Sequence, residues 1–197
     1  MVQPFQLPLV KPRNRARTRR LKQRDALWPK AEGEVFQPSN GGWCQVPRTV
    51  PMIASLIDDL GGKEKPGRLY ITLWSYDFGE GYLEVPDPAR VALEAGYKTN
   101  RAERTFVERM RALRELGFIR SEALGAREFG HVLLVDPHRA VLELWAKDPT
   151  RISDEWWSAF QARCSAIGIE LSEYAAAAVD GTGTAPAAAS PMEAANG

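Results

Sequence analysis

Apolar residues fall at helical spacing from residue 50 onward, and glycine and proline divide the chain into elements. Thr49 is placed to cap a helix over 50–60, with Val50, Ile53, Ala54, Ile57 and Leu60 on one face and Gly61-Gly62 as its stop. Pro66-Gly67 opens a segment over 68–78 whose Leu69, Tyr70, Leu73 and Trp74 fit a helix, although Tyr70-Ile71-Thr72 also suits a buried strand. Gly79 and Gly81 mark a turn, and 82–85 predicts a short strand ended by Pro86. Asp87 caps a short helix with Pro88 at its first position and Val91, Ala92 and Ala95 facing inward, and Gly96 ends it. Asn100 caps a longer helix through Leu116, which Gly117 ends. Residues 118–124 and 129–135 are strand-like and joined by a turn at 125–128, which makes a hairpin. Asp136-Pro137 starts a helix over 138–145. Ser153 caps a last one, with Asp154 and Glu155 complementing its dipole and Trp156, Phe160, Cys164 and Ile167 along one side.

The flanks lack such a pattern. Residues 1–27 have almost nothing to bury and predict a disordered arm, and 175–197 is an Ala, Gly, Thr and Pro tail. That leaves about one domain's length for the folded part. The formal charge of +1 conceals an asymmetry: residues 1–30 carry nine basic side chains and one acid, a net of +8, so the remainder is −7. A basic arm on an acidic body points to a polyanion partner. No apolar run reaches the roughly 18 residues of a membrane span, and no apolar segment follows the basic start as in a secretory signal. An organellar transit peptide shares the charge, but Pro4, Pro8 and Pro12 would break its amphipathic helix. Two distant cysteines, Cys44 and Cys164, argue for a reduced, cytoplasmic setting.

The order over 66–136 is helix, short strand, helix, turn, helix, strand, turn, strand, and this stretch resembles the winged-helix (winged helix-turn-helix) DNA-binding superfamily. Three features carry the resemblance: Ala92 four residues before Gly96, the run Leu113-x-x-Leu116-Gly117-Phe118-Ile119, and a glycine-bounded loop over 125–130 where a wing belongs. The fold class it implies is mainly α with a small β-hairpin wing (α+β), a winged helix-turn-helix core flanked by extra helices. The layout is then a basic arm over 1–29, a helical extension over 30–65, the winged unit over 66–136, C-terminal helices over 137–174 and the tail over 175–197. The stretch Val46-Pro47-Arg48-Thr49-Val50-Pro51 ahead of this unit is similar to uncharacterised proteins of conjugative plasmids and integrative elements.

A recognition helix reads bases through its N-terminal residues, while basic, hydroxyl and amide groups hold phosphates. The candidates are Lys98, Thr99, Asn100, Arg101, Arg104, Thr105 and Arg111. Arg101, Arg104, Thr105 and Arg111 share one face, opposite Phe106, Met110 and Leu113. Between residues 98 and 120 seven basic residues meet three acids. Arg127 is expected at the wing tip, reaching a minor groove or phosphate. The plainer reading is a solvated, salt-bridged face, with Arg104–Glu108 and Arg111–Glu115 as i, i+4 pairs. The arm residues Arg13, Arg15, Arg17, Arg19, Arg20, Lys22 and Arg24 add nonspecific, salt-sensitive contacts to DNA, or bind RNA or an acidic protein instead.

Enzyme chemistry finds no support. His131 and His138 lack a partner at metal-ligand spacing, and neither a phosphate-binding loop nor a nucleophile elbow occurs. No cofactor, metal, membrane or small-molecule ligand is indicated. Trp28, Trp43, Trp156 and Trp157 suit core packing or an oligomer contact, and the helices over 138–145 and 153–174 are candidates for a homodimer interface. The sequence therefore predicts a sequence-specific double-stranded DNA-binding protein, a bacterial transcriptional regulator. The alternatives are a plasmid or mobile-element replication or maintenance protein and a winged-helix module that binds protein.

Overall fold

The computed structural model describes residues 12–29, 34–35, 41–85, 87–97 and 101–174. The chain divides into two compact units, Met1–Trp43 and Cys44–Gly197.

In the first unit, helix α1 spans Pro12–Leu27. The arm expected to be disordered is therefore helical over these residues. Arg, Lys, Ala, Leu and Gln are strong helix formers, and Pro12 occupies the first position, where its missing N–H costs nothing. Local preference outweighs the absence of a buriable face here.

Among the described residues the second unit has one core, to which several helices and a sheet contribute. Helix α2 (Val50–Leu60) buries Val50, Ile53, Ala54, Leu56 and Ile57. Helix α3 (Gly67–Trp74) buries Leu69, Tyr70 and Leu73, which decides the helix-or-strand question for this segment. The two helices touch closely: a Cβ on Gly67 would lie 2.1 Å from the Ala54 carbonyl oxygen. Asp58 Oδ1 accepts the Gly67 N–H at 2.6 Å in the same contact.

Three strands follow the predicted order: β1 (Tyr82–Glu84), β2 (Ile119–Leu124) and β3 (Arg127–Leu134). They form an antiparallel sheet in the order β1-β3-β2, with Leu83 opposite Val132 and Ser121 opposite the same residue from the other side. Between β1 and β2 lie α4 (Pro88–Glu94) and α5 (Ala102–Glu115). Helices α6 (Pro137–Lys147) and α7 (Asp154–Ala166) close the unit, joined through a 3-10 turn at Pro149–Arg151. Buried residues run through this core from Val50 in α2 to Cys164 in α7, so the segments on either side of 66–136 share its interior. Among the described residues no helix is long and apolar enough to cross a membrane.

Two polar features join the ends of this unit. Thr49 occupies the cap position of α2, but its hydroxyl makes no bond to that helix. Instead Thr49 Oγ1 and His138 Nε2 are hydrogen-bonded at 2.8 Å, and both residues are buried. This ties the start of α2 to the first turn of α6. Asp136 caps α6 as predicted, its Oδ1 accepting from the backbone N–H of His138 at 2.9 Å and of Arg139 at 3.1 Å. Burial pushes the Asp136 carboxyl up, but the His138 imidazole 3.4 Å away and the two backbone amides outweigh it and hold the group below the ordinary carboxylate range.

The tryptophans of the C-terminal helices spend their ring faces inside the unit. Trp145 stacks on Trp157 with centroids 4.2 Å apart, and Trp156 stacks on Phe160 at 5.0 Å. Both Trp156 and Trp157 are half-buried, where the sequence suggested core packing or an oligomer contact.

Gly67→Ala should destabilise the second unit by about 1–3 kcal/mol, since the new methyl meets backbone and not a yielding side chain. Urea unfolding followed by far-UV circular dichroism measures this. Asp136→Ala should cost about 1 kcal/mol at neutral pH through loss of the cap. A carboxyl whose folded pKa is lowered contributes stability above its unfolded value near 3.9 and loses it as pH falls through the folded one. The gap between variant and wild type should therefore close on acidification below about pH 4, as read from unfolding midpoints across a pH series.

Candidate nucleic-acid interface

The face of α5 turned away from the core carries the residues that the sequence offered as candidate contacts. Its position is set by two locally encoded turns. Asp87 caps α4 by accepting the Arg90 N–H at 3.0 Å, and Val91, Ala92 and Ala95 face inward as expected. Gly96 ends that helix at φ 85°, a value readily adopted only by glycine. The Tyr97 N–H then returns to the Ala92 carbonyl and the Gly96 N–H to that of Leu93, both at 2.8 Å, completing a Schellman motif. The same pair of bonds closes α5 at Gly117, from Phe118 to Leu113 and from Gly117 to Arg114. Between these stops Phe106, Met110 and Leu113 are buried, and Phe106 meets Phe129 of β3 edge-on at 6.5 Å.

Arginines bracket the turn between α4 and α5. Arg109 lies 3.9 Å over the Tyr97 ring and donates from Nε to the Glu64 carbonyl, anchoring α5 to the α2–α3 loop. Arg68 of α3 rests against Gly96, where a Cβ would come within 2.6 Å of its guanidinium carbon. Neither Arg68, Tyr97 nor Arg109 stands out in the sequence, because their meeting depends on how three separate segments pack.

The predicted contact residues divide into several groups. Lys98, Thr99 and Asn100 lie outside the described residues, so the expected cap at Asn100 does too. Arg101 stands at the start of α5 and is exposed, and Thr105 is half-buried. The side chain of Arg104 is 73% exposed and pairs with Glu108 at 2.7 Å, as the plainer reading anticipates. Arg111 is also exposed, but its partner is Glu128 on β3, at 2.6 Å, and not the expected Glu115. Arg114 reaches the same carboxylate at 3.0 Å. In α1, Arg15, Arg17, Arg19, Arg20 and Lys22 are exposed, whereas Arg24 pairs with Asp25 at 2.6 Å; Arg13 also falls within this helix.

Arg127 departs from its expected place. The hairpin turn is two residues, Gly125 and Ala126, so β3 already begins at Arg127. The Arg127 guanidinium donates from Nη1 to the Val85 carbonyl at 3.0 Å, so one arm of the fork holds the end of β1 against β3. The loop expected over 125–130 is too long, because Gly130 reads as its boundary. Gly130 lies within β3, where its backbone passes close to Leu124.

The flank of α5 with the α2–α3 loop forms an open groove lined by Glu64, Glu108, Arg111 and Arg151, without the enclosure of a small-molecule site. Among the described residues no group of three or more His, Cys, Asp or Glu side chains is placed to hold a metal ion. No family model, curated protein or solved structure matches this chain.

Gly96→Ala should cost about 1–2 kcal/mol by forcing an L-residue into left-handed backbone at the α4–α5 turn. The measurement is a denaturant midpoint, with amide exchange in α4 and the start of α5 speeding up first.

Proposed function

We propose that this protein binds double-stranded DNA as a winged-helix unit, with α5 entering the major groove and the β2–β3 hairpin beside it. The observation that carries the reading is the pairing of β1, the strand between the first two helices of the unit, with β3 on the far side of the hairpin. With the order α3-β1-α4-α5-β2-β3, this pairing leaves α5 buried along Phe106, Met110 and Leu113 and open along Arg101, Arg104 and Arg111. The N-terminal turn of α5 would read base edges, and the arginines along it would hold phosphates. The basic helix α1 would add sequence-independent affinity, since it presents Arg15, Arg17, Arg19, Arg20 and Lys22 to solvent. Sequence-specific regulation of transcription is the role this arrangement suits best.

A second reading, docking to another protein, is favoured by one observation. Glu108 and Glu128 already occupy Arg104, Arg111 and Arg114, so the open face of α5 is charged but largely self-neutralised.

Fluorescence anisotropy on a mixed-sequence duplex at two salt concentrations separates the two. DNA binding predicts affinity that falls steeply with salt. Arg101→Ala with Arg104→Ala should weaken it by on the order of tenfold and flatten the log–log salt slope by about one for each phosphate no longer held. Unchanged affinity and slope in this variant, with residues 1–27 intact, would overturn the assignment of α5.

A further inference from the structure

Glu128 is an acid that two arginines of α5 approach together. Arg111 meets it side-on, with Nε 3.2 Å from both carboxylate oxygens and Nη2 2.6 Å from Oε2. Arg114 closes the other side, Nη2 donating to Oε1 at 3.0 Å. Arg114 is held independently of that carboxylate. Its guanidinium lies 5.1 Å above the Phe129 ring, and its Nη1 donates to Ser121 Oγ at 3.4 Å. The two forks therefore converge on one point of negative charge, and at least one is fixed by groups that stay when the charge leaves. Arg114 also lines a groove of about 330 Å³ together with Arg120, Ser121 and Glu143.

Carboxylate and phosphodiester present the same target to a guanidinium fork: two terminal oxygens that accept parallel N–H bonds. Arginine suits both because its donors are planar and rigid. Side chains of Arg111 and Arg114 are 51% and 41% exposed, and that of Glu128 is 35% exposed, so the cluster is open to a ligand from solvent. An exposed ion pair of this kind is weakly held, and Glu128 lies one residue after Arg127, at the start of β3 beside the two-residue turn. A rotation of its side chain vacates the site without unpairing the strand.

We infer that Arg111 and Arg114 form a phosphodiester clamp between α5 and the hairpin, in which Glu128 is an internal stand-in that a nucleic-acid phosphate displaces. The inference rests on the DNA-binding reading and deepens it by joining Arg111 to Arg114 and Glu128, a grouping that residue spacing does not reveal. Glu128 sets the threshold of the site. An isolated anion competes with a tethered carboxylate and loses, whereas a duplex brings many phosphates at once and replaces it. The carboxylate thus lowers affinity for weak polyanions while keeping the clamp aligned.

The test is a cycle of full-length variants against one duplex, read by anisotropy over a salt series. Glu128→Gln removes the charge with the same shape and leaves no buried group unpaired, so the fold should hold, as circular dichroism and urea midpoints would verify. It should tighten binding by about three- to tenfold, the size expected for releasing exposed ion pairs. It should also steepen the salt slope by about one. Arg111→Ala with Arg114→Ala should weaken binding and abolish the gain from Glu128→Gln. In the wild type, the Arg114 side-chain Nε–H resonance should shift on adding duplex and stay put on adding inorganic phosphate at the same phosphate concentration. If Glu128→Gln leaves affinity and slope unchanged, or tightens binding equally without the two arginines, the clamp is wrong while DNA binding stands. If the wild-type chain fails to bind any duplex, both fall together.

Discussion

A two-stranded hairpin by itself is at best marginal in water, and the β2–β3 hairpin of this protein depends on what covers it. The covering is the inner stripe of α5. Phe106, Met110 and Leu113 are fully buried, and Phe106 sets its edge against Phe129 of β3. Burying one such side chain contributes about 1.5–3 kcal/mol, so three of them outweigh any surface term near the site. That contact also decides orientation. With one side of α5 committed to the sheet, the opposite side has nowhere to point except outward. From the other edge, β1 braces β3, and the Arg127 bond to the Val85 carbonyl fastens the junction. The outward placement of the described α5 residues is thus a by-product of core packing.

Charge on that outward side follows a different logic. The acidic excess beyond the arm does not lie apart from the arginines of α5; some of it is placed among them. Glu108 answers Arg104, and one carboxylate on β3 answers two arginines. A net charge counted along the sequence treats these groups as independent. Folding makes them partners: the +4 counted between residues 98 and 120 already includes Glu108 but leaves out Glu128, the carboxylate that folding sets against Arg111 and Arg114.

Local chemistry is well written in the sequence. The Asp87, Asp136 and Ser153 caps accept the backbone amides expected of them, and Gly96 and Gly117 end their helices in the left-handed region. Each of these signals involves residues within one turn of one another. The exceptions share a cause in distance along the chain. Thr49 looks like a cap, but its hydroxyl finds His138, 89 residues away. Arg111 looks paired to Glu115 one turn on, but its carboxylate comes from 17 residues downstream across a strand reversal. For Arg127 the error is one of loop length, because a glycine inside a strand reads like the end of a turn. In α1 the reverse holds: helix propensity is strong and local, and the missing apolar face obscures it.

The stacked indoles of Trp145 and Trp157 have an optical consequence. Their planes lie within 4° of parallel at 4.2 Å, close enough for the two transition dipoles to couple and give an exciton couplet in circular dichroism. One ring belongs to α6 and the other to α7, so the coupling exists only while those helices are docked. The protein thus carries a built-in optical gauge of whether its C-terminal helices are seated.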